Sequence, residues 1–133
     1  EVDRVVARSE EIIRSGKTAV CFTSRKPLTL EQDSKEDVLV RSVKISDGVQ
    51  SLVGRLKITP AFVVAKGGIT SSDVGTRALQ VKRARVMGQI RPGIPVWQTG
   101  GESTFPKIPY VIFPGNVGEA GTLKEVVEIL TGI

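Results

Sequence analysis

Lys66-Gly67-Gly68-Ile69-Thr70-Ser71-Ser72-Asp73 follows directly on the apolar run Ala61-Phe62-Val63-Val64-Ala65. A short unbroken run of strand formers reads as a strand buried on both faces. The two glycines after it read as a tight turn, and the small polar residues Thr70 to Asp73 read as caps for a following helix, with Val74, Ala78 and Leu79 as its apolar side. A buried strand that turns at once into a helix is the repeating unit of an α/β fold.

The flanking pattern extends that unit in both directions. Val2, Val5, Val6, Ser9, Ile12 and Ile13 recur at helical spacing, and Gly16 ends the helix. Ala19-Val20-Cys21-Phe22-Thr23 reads as a buried strand, followed by a polar loop from Ser24 to Gln32. Ser34 with Asp37 starts a second helix, whose stripe of Val38, Leu39, Ile45, Val49, Leu52, Val53 and Leu56 is closed by Pro60. Ala84–Ile90 and Ile94–Trp97 are extended around an Arg91-Pro92-Gly93 turn, with a loop at Gly100–Ser103. Tyr110–Phe113 is a last buried strand, and Leu123, Val126, Val127 and Leu130 mark a last helix with a Thr122/Glu125 capping box. The expected fold is an α/β layered sandwich, one domain over residues 1–133, with a largely parallel or mixed central sheet flanked by helices.

Composition narrows what such a domain does. The chain has no histidine and a single cysteine, Cys21, so histidine general bases, Ser-His-Asp triads, most zinc sites and an internal disulfide are excluded. A lone cysteine fits a reducing compartment, and the cytoplasm is the expected location. No apolar run approaches the length of a bilayer span, so no membrane partner is expected. Nineteen Lys and Arg against fourteen Asp and Glu give a net charge of +5, which favours anionic ligands by long-range attraction. The basic residues are mostly scattered and aromatics make up only 5% of the chain, so nucleic acid is not expected. Glu1 in place of Met, with a helical pattern at once, reads as a piece cut from a longer protein.

Three glycine-bearing turns invite a phosphate reading. Ser15-Gly16-Lys17-Thr18 matches only the end of a P-loop: Glu11 stands where the first glycine belongs, and the stretch follows a helix and precedes a strand. It is read as a helix C-cap. At Gly67-Gly68 the backbone can turn N–H groups outward toward an anion, and Lys66 could add a mobile cation. The same residues equally describe a well-capped turn. Pro114-Gly115-Asn116-Val117-Gly118 repeats the pattern after the last buried strand, and ligands of such sheets bind beyond the strands' carboxyl ends.

The order of these segments resembles a known family. Thr23-Ser24-Arg25, Gly67-Gly68-Ile69-Thr70, Met87-Gly88-Gln89-Ile90 with Arg91-Pro92-Gly93-Ile94-Pro95, and Gly115-Asn116-Val117-Gly118 follow one another as in the C-terminal nucleotide-binding domain of the four-carbon acid sugar kinases. The resemblance implies that the chain binds ATP for transfer to threonate, erythronate or oxo-tetronate-type acids, with Mg²⁺ carried on the phosphates. The sugar acid would bind a separate N-terminal domain, so the chain would be the C-terminal part of a two-domain kinase, inactive alone, with a homo-oligomer left open. It places the cofactor at Gly67, Gly68, Ile69, Thr70 and Gly115, with Asn116 and Gly118 beside them. No catalytic or metal-ligating residue is assigned to this chain. The chain departs from the family pattern at Ile69, where an acid is usual, and at Gln89 and Val117. A non-catalytic domain that binds an anionic metabolite and regulates an attached enzyme is the alternative.

Overall fold

The computed structural model describes residues 1–24 and 34–132. Arg25 and the polar loop through Gln32 thus lie outside the described residues. By contact the chain divides into two compact units, Glu1–Ile58 and Thr59–Ile133.

In the first unit, helices α1 (Val2–Arg14) and α2 (Lys35–Gly54) pack on one another. Ser34 and Asp37 form the expected capping box, each side chain accepting from the other's backbone N–H. Ser15 caps α1, with Gly16 beyond it in the left-handed region, which bears out the C-cap reading of Ser15–Thr18. The buried residues of α1 are Val6, Ser9 and Glu10. Glu10 tolerates burial because its carboxylate accepts the Lys57 N–H at 2.9 Å and lies 3.6 Å from Arg14.

Two expectations fail in this unit. Residues 19–23 are not a buried strand: they pair with no strand among the described residues, and Val20 and Phe22 are 67% and 84% exposed. Strand propensity fixes only a preference; the N–H and C=O groups of a strand still need a neighbour. The stripe on α2 is likewise not buried. Val38, Leu39 and Ile45 are exposed, and Val49, Leu52 and Val53 are half-buried.

The second unit holds the sheet, with strands β1 (Val63–Lys66), β2 (Ala84–Arg91), β3 (Ile94–Thr99) and β4 (Pro109–Phe113) in the order β1-β4-β3-β2. The sheet is mixed. β1 and β4 are parallel, with Val63 opposite Tyr110 and Lys66 opposite Phe113, whereas β4, β3 and β2 run antiparallel. The β2–β3 hairpin turns where Arg91-Pro92-Gly93 signalled, and the Gln89 side chain accepts the Gly93 N–H at 2.7 Å.

Alternation sorts the strand residues to two faces. Val111 and Phe113 face helix α4 (Thr122–Thr131), and with Ile94 and Val126 they form the core, joined by the half-buried Val64, Ile90, Val96, Val117, Leu123 and Leu130. Removing each such side chain from water stabilises the fold by roughly 1.5–3 kcal/mol. On the opposite face Val63, Ala65 and Tyr110 are buried beneath helix α3 (Gly68–Asp73), which continues into a π-turn over Val74–Ala78. Helix, sheet and helix make the α/β sandwich. The expected Thr122/Glu125 capping box does not form. Gly121 is the N-cap, Thr122 Oγ1 accepts the Glu119 N–H at 2.7 Å, and Glu125 pairs with Arg91 at 3.1 Å.

Candidate functional site

Because β1 and β4 are parallel neighbours, their carboxyl ends lie side by side, and both glycine-bearing segments leave the sheet there. The Gly67 N–H donates to the Phe113 carbonyl at 2.8 Å, carrying the ladder one residue past β1. A Cβ added to Gly115 would lie 3.8 Å from the Gly67 Cα. The structure therefore brings the two turns into contact.

Gly67 adopts φ 105° and ψ 147°, a conformation that only glycine takes readily. It is the N-cap of α3, so helix geometry leaves the N–H groups of Gly68, Ile69 and Thr70 without carbonyl partners inside the helix. The Gly67 N–H is spent on Phe113, which leaves those three as the turn's donors. A Cβ at Gly68 would meet nothing within 4 Å, so the approach to them is open. Ile69 is 77% exposed, and Thr70 is half-buried. Thr70 to Asp73 do not cap the helix from outside, as their composition suggested. They lie within it, and the Ser71 hydroxyl turns back to the Gly67 and Ala65 carbonyls at 2.6 and 3.0 Å.

An open cavity of about 470 Å³ lies beside this turn, lined by Lys66 and Phe113, by the loop from Gly115 to Ala120, and by Leu123. Of the expected site residues, Gly115, Asn116 and Gly118 line it, Gly67 adjoins it, and Gly68, Ile69 and Thr70 are not among its lining residues. Lys66 is the lining cation, its ammonium 5.4 Å from the centre of the Phe113 ring, and Glu119 is the lining anion. Gly118 has φ 85°, and a Cβ there would come within 2.9 Å of the Thr122 side chain, so the loop closes onto α4 only with glycine. The size suits a small ligand, with Val117, Leu123 and Phe113 as apolar wall and Lys66 with main-chain groups as polar partners.

The family model of the nucleotide-binding C-terminal domain matches residues 1–123. The chain belongs to this family. The resemblance drawn from segment order, to the C-terminal nucleotide-binding domain of the four-carbon acid sugar kinases, therefore holds. Comparison with curated proteins returned no match. Among solved structures, the nucleotide-binding domain is similar to a domain of unknown function (DUF1537) from Bordetella bronchiseptica, crystallised with bound citrate as a domain-swapped dimer. The identity is 21% and the TM-score 0.62, over 96% of this chain and 31% of that one, which shows a shared fold. The chain thus spans about a third of that protein's length.

Within this nucleotide-binding domain, pattern reading found both turns and singled out Lys66, but missed the residues that fix them. Ser71 was read as a cap. Tyr110, the sole tyrosine, was read only as strand, although its alternation with Val111 placed it on the helix α3 face. Among the described residues no group of three or more carboxylate or thiol side chains gathers to hold a metal ion, and no helix is long and apolar enough to cross a membrane.

Proposed function

We propose that this chain is the ATP-binding, C-terminal part of a cytoplasmic kinase that phosphorylates four-carbon sugar acids of the threonate, erythronate or oxo-tetronate type. The observation that carries the proposal is the meeting of the Gly67 turn and the Gly115 loop at the carboxyl ends of a parallel strand pair, beside an open cavity, in a member of a nucleotide-binding family.

Phosphoryl transfer asks little covalent chemistry of a protein; it asks for alignment and for neutralisation of charge. The N–H groups of Gly68, Ile69 and Thr70 would face the phosphates, with the Thr70 hydroxyl as a further donor and Lys66 as the local positive charge. Gly115, Asn116 and Gly118 would lie along the nucleotide, and Mg²⁺ would come with the phosphates and help neutralise their charge. The attacking hydroxyl would come from a sugar acid held by a separate N-terminal domain. That the Bordetella protein is about three times as long as this chain supports such a two-domain enzyme, and its domain-swapped dimer supports a homo-oligomer. Ile69, apolar and exposed where the family usually has an acid, favours the second reading, a non-catalytic domain that binds an anionic metabolite and regulates an attached enzyme.

Titration of the chain with ATP·Mg²⁺ followed by NMR tests the proposal. Shifts concentrated in residues 67–73 and 115–119 are expected. The absence of shifts at millimolar nucleotide, or shifts confined to other residues, defeats it. A response to anionic metabolites but not to ATP selects the regulatory reading.

A further inference from the structure

One chain of hydrogen bonds runs from the core to the Gly67 turn and has no part in the nucleotide contacts described above. Tyr110 on β4 is 1% exposed, and its hydroxyl donates to the Ser71 carbonyl at 2.5 Å. Burial pushes the phenol pKa above its ordinary value, so the hydroxyl keeps its proton and remains a donor. The Ser71 carbonyl has two lone pairs and also receives the Val74 N–H, so both are in use. Ser71 then grips the turn twice, its N–H donating to the Gly67 carbonyl at 2.9 Å and its hydroxyl to the same oxygen at 2.6 Å. The Gly67 N–H is held by the carbonyl of Phe113, three residues along β4 from Tyr110. The N–H and the C=O of Gly67 are thereby both referred to β4.

The π-turn sits where this strap needs room. The Leu79 N–H reaches five residues back to the Val74 carbonyl at 2.8 Å, and Gly75 in that widened turn lies against the tyrosine ring, where a Cβ would be 3.3 Å from Cε2. A π-turn is a rare insertion that tends to mark functional sites. Here the side chain facing it is the one that ties the helix to the strand.

The geometry points to Tyr110 as a positioning residue: through Ser71 it fixes the Gly67 peptide, and with it the direction of the Gly68, Ile69 and Thr70 N–H groups. The ligand in this inference rests on the nucleotide reading above; the fixing of the turn does not.

Tyr110→Phe removes the hydroxyl and keeps the ring, leaving the Ser71 carbonyl bonded to Val74. ATP·Mg²⁺ affinity at 25 °C is expected to weaken about fivefold, the scale of one lost hydrogen bond. Exchange of the Gly67 and Ser71 amides, the two turn N–H groups that are hydrogen-bonded, should quicken by a similar factor, with exchange at Val111 and Val126 unchanged. Ser71→Ala should act on the same readouts, and the double variant should add little to either single one. Parental affinity in Tyr110→Phe overturns the inference, as does quickened exchange spread evenly over the core, which is the mark of a merely structural role. If the parent itself fails to bind ATP, the nucleotide reading falls separately, and exchange of the Gly67 and Ser71 amides alone decides whether Tyr110 fixes the turn.

Discussion

The two turns that meet at the sheet edge are built by opposite means. The Gly67 turn is tied at every step: its N–H to Phe113, its carbonyl to both donors of Ser71, and Ser71 to the buried Tyr110. The Gly115–Ala120 loop has fewer ties, a long 3.4 Å bond from the Val117 N–H to the Pro114 carbonyl and a reciprocal pair between Glu119 and Thr122, and most of its residues are exposed. One wall of the site is pre-set by the core, and the other closes by fit against α4. A pre-set wall suits backbone donors that must point at a fixed charge, since groups already oriented lose less entropy on binding. The looser wall suits the part of a ligand recognised by contact.

The comparison breaks most readily at Gly68. A Cβ there meets nothing within 4 Å, so Gly68→Val should fold while its branched side chain blocks the approach to the donors of the pre-set wall. ATP affinity is expected to fall at least tenfold, about 1.4 kcal/mol, with circular dichroism unchanged. Parental affinity in this variant means that the turn does not face phosphate.

Gly118 tests the other wall. With φ 85° and Thr122 in the path of a Cβ, Gly118→Ala should lower unfolding stability by about 1 kcal/mol, read by chemical denaturation. Nucleotide affinity should drop less than in Gly68→Val. A larger loss of affinity than of stability would reverse the roles given to the two walls.

These contrasts also mark what could be read from the sequence. The order of elements from α2 onward, the Ser34 cap, the Gly16 stop and both glycine turns were legible because each depends on residues within a few positions of one another. The parallel placement of β1 beside β4 was not legible from any single segment, since the β2–β3 hairpin lies between them in sequence. Residues 19–23 carried a strand's composition but found no partner, which composition cannot supply. Thr122 and Glu125 matched a capping box by spacing, yet Glu119 and Arg91 took their side chains instead. At the site, the glycines announced themselves while Tyr110 did not, because a long-range hydrogen bond leaves no periodic trace. Gln89 braces its own hairpin turn at Gly93, a side-chain role that its place in a strand pattern does not announce.

Lys66 sharpens the comparison on the side of charge. It lines the cavity from the end of β1, exposed, with its ammonium near the Phe113 ring. Lys66→Met should weaken ATP binding about threefold at low salt, and the difference should shrink as salt rises, because exposed charges are screened. Adenosine, lacking phosphates, should bind both proteins alike. Equal weakening for ATP and adenosine would assign Lys66 to packing.

The smallest effect is expected from a loop that belongs to neither wall and so serves as their control. Glu102 accepts the Arg83 N–H at 2.7 Å and the Lys82 N–H at 3.0 Å, and these bonds, led by Arg83 with help from its own N–H, hold its carboxyl below the usual glutamate value of 4.5. A depressed native pKa stabilises the fold fully above the unfolded value and loses that contribution as pH falls through the native one. As pH falls below the ordinary glutamate value of 4.5, the parent's thermal midpoint should therefore decline more steeply than that of Glu102→Gln, which keeps an acceptor oxygen but carries no charge. Near neutral pH the variant should be slightly the less stable of the two, and ATP affinity should be the same in both. Parallel pH curves would show that the carboxylate's bonds in the native loop are matched in the unfolded chain, and a change in affinity would show that this loop reaches the site after all.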